Sequence, residues 1–297
     1  MQRIKWIFLV LVLLLSGCQS HLDEPVPGQR TPPPTHDKLV ITVSILPQRY
    51  FVERVGGEHV AVYVMVPPGA SPATYEPKPE QMRALANTDA YMSIGVPFEA
   101  VWLPKISSAN PDMLIVDTAQ GIEKIDQDPH IWLSPELVKI QARNIYRALA
   151  KLDPAHEDEY RINLEAFVAD IEALQQELHA QLDDVPQRKF IVFHPSWGYF
   201  AREFGLEQIP IEVGGQEASP AELGRLVQRA REEDIRVIIA APEFSTADAE
   251  AIAREINGQV LLMSPLSSDW LANMREIGEV FGRVLGAQAN KESAYGQ

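Results

Sequence analysis

Residues 152–186 read LDPAHEDEYRINLEAFVADIEALQQELHAQLDDVP. Tyr160, Leu164, Phe167, Ile171, Leu174, Leu178 and Leu182 recur at steps of three or four, which draws one apolar stripe along an α-helix. Asp153-Pro154 reads as an N-cap followed by a first-turn proline, and Pro186 marks the stop. A helix of roughly 28 residues at 1.5 Å each is about 42 Å long, enough to run along two lobes as a stiff strut.

The chain on either side of this segment is built in one style. Before it, residues 39–45 (LVITVSI), 60–66 (VAVYVMV), 90–94 and 113–116 are short apolar runs, with helical spacing at 48–55 and 79–87. After it, 189–193 (KFIVF), 209–213, 237–240 (VIIA) and 260–263 (VLLM) are strand candidates. Helical patterns there cover 220–232, 246–257 and about 268–285. Short strands alternating with helices predict parallel sheets covered by helices. The fold expected is α/β: two Rossmann-like lobes, 38–152 and 187–297, joined by the long rigid helix at 153–186, with a ligand cleft between the lobes. In such sheets ligands bind beyond the C-terminal ends of the strands, so the residues just after each strand matter most.

Composition narrows the function classes. Of 297 residues, 46% are hydrophobic and 23% charged, as in an ordinary globular protein. The net charge of -15 argues against nucleic acid, whose recognition needs a basic patch. The one cysteine, Cys18, rules out an intrachain disulfide and a thiolate-based zinc site. It ends the segment MQRIKWIFLVLVLLLSGC, in which Arg3 and Lys5 precede an unbroken apolar run at 6–15. That is a signal-peptide pattern, too short for the about 20 residues a spanning helix needs. Leu15-Ser16-Gly17-Cys18 resembles a bacterial lipobox, which implies removal of residues 1–17 and acylation of Cys18. Residues 18–37 are polar and proline-rich and read as a flexible tether. The expected location is exported and membrane-anchored through the lipid, facing the periplasm or the cell exterior.

Seven histidines are candidate ligands. His21 and His36 fall in the tether, His59 in a polar turn, and His156 and His179 on the long helix off its apolar stripe; all five read as solvated. His130, in DPHIWLSP (128–135), and His194, directly after a strand in HPSWGYF (194–200), differ. Each sits in a proline-stiffened loop beside aromatics, one in each lobe, and neutral imidazole is a common ligand for zinc and other borderline metals. Asp128 is placed to hold an imidazole N–H from behind.

Four segments, 67–79 (PPGASPATYEPKP), 128–135 (DPHIWLSP), 194–206 (HPSWGYFAREFGL) and 264–274 (SPLSSDWLANM), resemble in order and spacing the marker segments of one family. It is the zinc/manganese-uptake family of ABC-transporter solute-binding lipoproteins. The resemblance spans about residues 39–285 and implies two α/β lobes joined by a rigid helix, with one metal held between them. It implies four ligands: a His from the first segment, a His from the second, a His or Glu from the third and an acidic residue from the fourth. His130 and His194 fill two of these positions, but Ala73 and Ser264 stand at the others. Asp269, Glu217 and Glu76 are the carboxylates weighed as replacements, with a cap of the last helix as the plainer reading of Asp269. A His at the third position favours Zn2+ over Mn2+ or another divalent transition metal. The absence of a histidine-rich stretch at 122–127 (IEKIDQ) weakens that preference.

The function expected is capture of a divalent metal outside the cytoplasm and its delivery, by a monomer, to an ABC transporter permease. The alternatives are a protein of the same fold that carries a metal chelate or small organic solute, with Trp132, Trp197, Tyr199 and Trp270 lining its pocket, and a surface adhesion lipoprotein. No G-x-S-x-G elbow, P-loop or H-E-x-x-H motif points to an enzyme.

Overall fold

The computed structural model describes residues 37–212, 218–242 and 247–286, all within one compact unit. Among the described residues, eight strands form two sheets. The first contains β1 (Leu39–Val43), β2 (Val60–Val64), β3 (Ala90–Ser93) and β4 (Leu114–Asp117) in the order β2-β1-β3-β4. The second contains β5 (Lys189–Val192), β6 (Glu207–Pro210), β7 (Val237–Ala240) and β8 (Gln259–Leu262) in the order β6-β5-β7-β8. Every pairing is parallel, and the two sheets share one topology. Parallel strands need crossovers, and the connections carry them. α1 (Leu46–Gly56), α2 (Pro79–Ala84) and α3 (Pro97–Ala109) belong to the first lobe, and α6 (Gly198–Glu203), α7 (Pro220–Glu232) and α8 (Ala247–Glu255) to the second. Because the strand order reverses at β1 and again at β5, each sheet has a switch point where a crevice opens beyond its strand ends.

Alternation along the strands decides which core each residue joins. In the second sheet Phe190, Val192, Val237 and Ile239 enter a large core shared with the first sheet, while Ile191, Phe193, Ile238 and Ala240 face a separate core with residues of α7 and α8. The large core is continuous across both lobes because three long helices cross it: α4 (Pro135–Leu152), α5 (Glu157–Leu182) and α9 (Trp270–Gly286). α5 packs on α1 and α4 from one side and α9 from the other. Phe167 of α5 meets Phe51 of α1 at 5.9 Å and Trp270 of α9 at 6.4 Å between ring centroids. Gly278 lets α9 lie against α5, since a Cβ there would overlap the Leu178 and Gln181 side chains.

The strut differs from expectation at its start. Pro154–His156 is a 3-10 turn, and α5 begins at Glu157, giving 26 residues and a length of about 39 Å. Asp153 makes no N-cap hydrogen bond. Its carboxylate instead accepts from His156 Nδ1 (2.6 Å) and the Tyr160 hydroxyl (2.8 Å), which draws the chain into the tighter turn. β6 also starts earlier than its apolar run: Glu207 N donates to Arg188 O at 2.8 Å, pulling two polar residues into the edge ladder. No helix among the described residues is long and apolar enough to cross a membrane, and Cys18 lies outside them.

Candidate metal centre

His194 is placed by the end of β5. Beyond the strand, Phe193 N still donates to Ile239 O, and Ile211 N and Glu212 N donate to Val192 O and Phe193 O. The parallel register that pairs Val192 with Pro210 therefore runs on and sets Glu212 opposite His194. The Glu212 carboxylate meets His194 Nδ1 at 2.7 Å. Sequence reading missed Glu212 because its partner is set by strand register across 18 residues, not by local spacing.

His130 is placed by a turn. Asp128 Oδ1 accepts from the His130 backbone N–H (2.9 Å) and meets His130 Nδ1 (2.6 Å). This is the local side-chain turn for which Asp is suited. The same loop is fastened from the second lobe. Tyr199 OH accepts from Ile125 N (2.9 Å) and donates to Asp128 O (2.9 Å). Gly198 allows the approach: a Cβ on it would stand 2.8 Å from Asp128 Oδ2. Two tryptophans lock the other side, Trp132 Nε1 donating to Pro265 O (2.7 Å) and Trp270 Nε1 to Trp132 O (2.6 Å).

The two imidazoles meet between the lobes, ring centroids 5.4 Å apart and planes 70° apart. With a carboxylate at each Nδ1, the proton is assigned there, and Nε2 is the nitrogen a metal ion would take, the usual arrangement behind a metal-bound histidine. Burial pushes the His130 pKa below the ordinary imidazole value; hydrogen bonding and charge from Asp128 oppose this, and His194 adds to the lowering. A neutral His130 at pH 7 follows, which is the protonation state that binds metal.

A cavity of about 640 Å³ opens onto this pair. Ser71, Pro72, Ala73, Val96 and Pro97 form one wall, and Asp126, Gln127 and Asp128 supply polar lining. Asp126, which sequence reading passed over, is a non-glycine residue at φ 47° on this wall, a left-handed conformation that Asp tolerates. The signal for it was a carboxylate two residues before Asp128 of the Asp-Pro-His turn, within a stretch read only for histidines.

The residues weighed as replacement ligands are not gathered here. Glu76 is exposed and does not line the cavity. Asp269 is exposed, and its Oδ1 accepts from Ala272 N at 3.1 Å in the first turn of α9, a helix cap. Glu217 lies outside the described residues. Ser264 lines a neighbouring pocket of about 310 Å³, and its Oγ accepts from Leu266 N at 3.1 Å. Of the aromatics proposed for a solute pocket, Trp132 lines the cavity, while Trp197, Tyr199 and Trp270 are core residues.

Residues 41–282 match the family of the zinc-uptake complex component A, periplasmic. A crystal structure of ZnuA is 49% identical, with a TM-score of 0.81, over 84% of this chain and 100% of that one. The high-affinity zinc uptake system protein ZnuA of Bacillus subtilis is 25% identical over 77% of this chain and 79% of its own length. The manganese-binding lipoprotein MntA of Halalkalibacterium halodurans is 26% identical over 86% and 87%. The chain therefore belongs to the family of the zinc-uptake complex component A, the metal-binding substrate-binding proteins of ABC transporters.

Proposed function

We propose that this protein captures Zn2+ between its lobes through Nε2 of His130 and of His194 and hands it to the permease of an ABC transporter. The observation that carries this reading is the meeting of two imidazoles from different lobes, each backed at Nδ1 by a carboxylate, Asp128 for one and Glu212 for the other. An imidazole pair favours zinc over manganese, which prefers oxygen ligands. The 49% identity to a protein named ZnuA supports the same choice, where the two curated relatives, one of zinc and one of manganese, do not discriminate. Water completes the coordination from the open side of the cavity, whose wall also carries the Asp126 carboxylate. With Ala73 and Ser264 in two ligand positions, the ion is held less tightly caged than by four side chains. The proposed division is a signal peptide (1–17), a lipid on Cys18 with a tether to residue 37, lobes at 38–152 and 187–297, and the strut between. The lipid and tether keep a monomeric carrier outside the cytoplasm and beside its permease. Zinc titration of purified protein tests the reading: His130→Ala with His194→Ala removes the tightest zinc equivalent, and an unchanged isotherm in that double variant contradicts it.

A second reading has one observation in its favour. The cavity, about 640 Å³ and with five prolines, Val96, Ile125, Trp132 and Leu266 in its walls, is in the size range of small-molecule pockets. On that reading the metal travels as a chelate. Native mass spectrometry separates the two: bare zinc on the protein supports the first, a zinc-bound organic ligand the second.

A further inference from the structure

The histidines read as solvated at the other end of the first lobe are not solvated singly. His59 closes the 3-10 turn Gly57–His59 directly before β2, and His156 closes the turn Pro154–His156 directly before α5. Their rings stack at 3.9 Å between centroids, with planes 20° apart. Glu159, in the first turn of α5, brings Oε2 to 2.8 Å from His59 Nε2, across one hundred residues of chain. One ligand atom from each of the three side chains lies within 4.8 Å of the other two.

We infer that His59, His156 and Glu159 form a second site for a transition-metal ion, zinc by its donor set, that is separate from the cleft. Two imidazoles and one carboxylate are a recurrent three-ligand set for zinc, with water in the fourth position. Hard cations such as Mg2+ and Ca2+ prefer all-oxygen shells and are disfavoured. Bonds of 2.0–2.2 Å in a tetrahedron require ligand atoms about 3.3 Å apart, close to the present spacing, and binding would turn the stacked rings so that both Nε2 lone pairs face one ion. The support behind the ligands is already built. Asp153 Oδ2 accepts from His156 Nδ1 (2.6 Å), which leaves Nε2 to coordinate, and the Tyr160 hydroxyl donates to the same oxygen (2.8 Å) and fixes it in place. This repeats the carboxylate–imidazole pairing of the cleft.

The position makes the site independent of the cleft. His59 precedes β2, at the N-terminal edge of the first sheet, whereas His130 and His194 lie beyond C-terminal strand ends. The five residues of β2 alone span about 16 Å. Side-chain exposures of 16% for His59, 39% for His156 and 57% for Glu159 leave the ion accessible from solvent. A bound ion joins the start of α5 to the turn before β2 and so clamps the strut onto the first lobe, because a link across a long loop removes freedom from the unfolded chain.

The test uses the full chain with His130→Ala and His194→Ala, so that the cleft is silent whatever its role. With Zn2+ as the probe, this variant retains one equivalent by calorimetry and its Tm rises by several degrees. With Co2+ it shows the visible absorption of a histidine-bound ion. Adding Glu159→Gln, an exposed change that leaves the fold intact, lowers zinc affinity at least tenfold, and adding His156→Gln removes the cobalt band. A folded cleft variant that takes up no zinc, or one whose remaining zinc is indifferent to Glu159→Gln and His156→Gln, overturns the inference.

Discussion

The two histidine pairs differ in what surrounds the same parts. In the cleft, His130 and His194 meet edge to face, both partly buried, with separate carboxylates and a mostly apolar cavity in front. At the α4–α5 corner, His59 and His156 stack face to face, one carboxylate bridges toward the metal position and another stands behind. The cleft pair is assembled from two lobes, so its geometry depends on every contact that holds the lobes together. The corner pair is assembled within the first lobe and the first turn of the strut. Loosening the lobes should therefore damage one pair and spare the other.

The largest effect is expected from the cleft ligands. His130→Ala with His194→Ala should weaken the tightest zinc binding by more than about 100-fold, beyond the 10–100-fold typical of losing a supporting residue. Next is the packing that joins the lobes. Phe167→Ala removes a fully buried ring that touches Phe51 and Trp270, and should cost about 3–5 kcal/mol of stability in urea unfolding. Because Phe167 also ties α5 to α1, both pairs should feel the change, the cleft equivalent more; equal loss at both pairs would break the comparison. Smaller still, Gly198→Ala pushes a methyl toward Asp128 and Glu212→Gln weakens the hold on His194. Each should lower cleft affinity about 10–100-fold and leave the corner untouched, measured by competition with a zinc dye.

The smallest effect is a pH dependence. The folded-state pKa of His130 lies below its unfolded value of about 6.5. Between these two values the unfolded chain binds more protons, so stability of the metal-free protein from this group is fully present above pH 6.5 and declines as pH falls below it. NMR titration should find His130 half-protonated below pH 6.5. A midpoint above 6.5 would mean that Asp128 outweighs burial and that the ring is charged near neutrality.

Much of this was legible in the chain. Seven of the eight strands among the described residues lie on the short apolar runs read as strands, because residues buried in a parallel sheet leave few polar side chains to interrupt the run; β6, an edge strand, takes in Glu207 and Gln208 ahead of its apolar run. The stripe from Tyr160 to Leu182 is the buried face of α5, with Leu164 half-buried. Three helices escaped, among them the six-residue α6, too short to show a period. In α4 the apolar period is broken by buried Gln141 and Asn144, which are held by backbone carbonyls, and in α3 Pro104 interrupts the helical pattern. His130 and His194 stood out as histidines in stiff loops, but their partners divided by distance along the chain. Asp128 acts two residues away and was readable; Glu212 depends on the register of an edge strand and was not. His59 and His156 looked solvated because neither lies on an apolar face, and only the fold brings together residues a hundred positions apart.

The most direct measurement of the central claim is the crystal structure of the zinc-loaded protein, with anomalous data collected at the zinc edge. The account predicts a peak between the lobes about 2.0–2.1 Å from Nε2 of both His130 and His194, with Asp128 and Glu212 still on the two Nδ1 atoms. A loaded protein with no peak between these histidines, or with zinc bound there by only one of them, contradicts it.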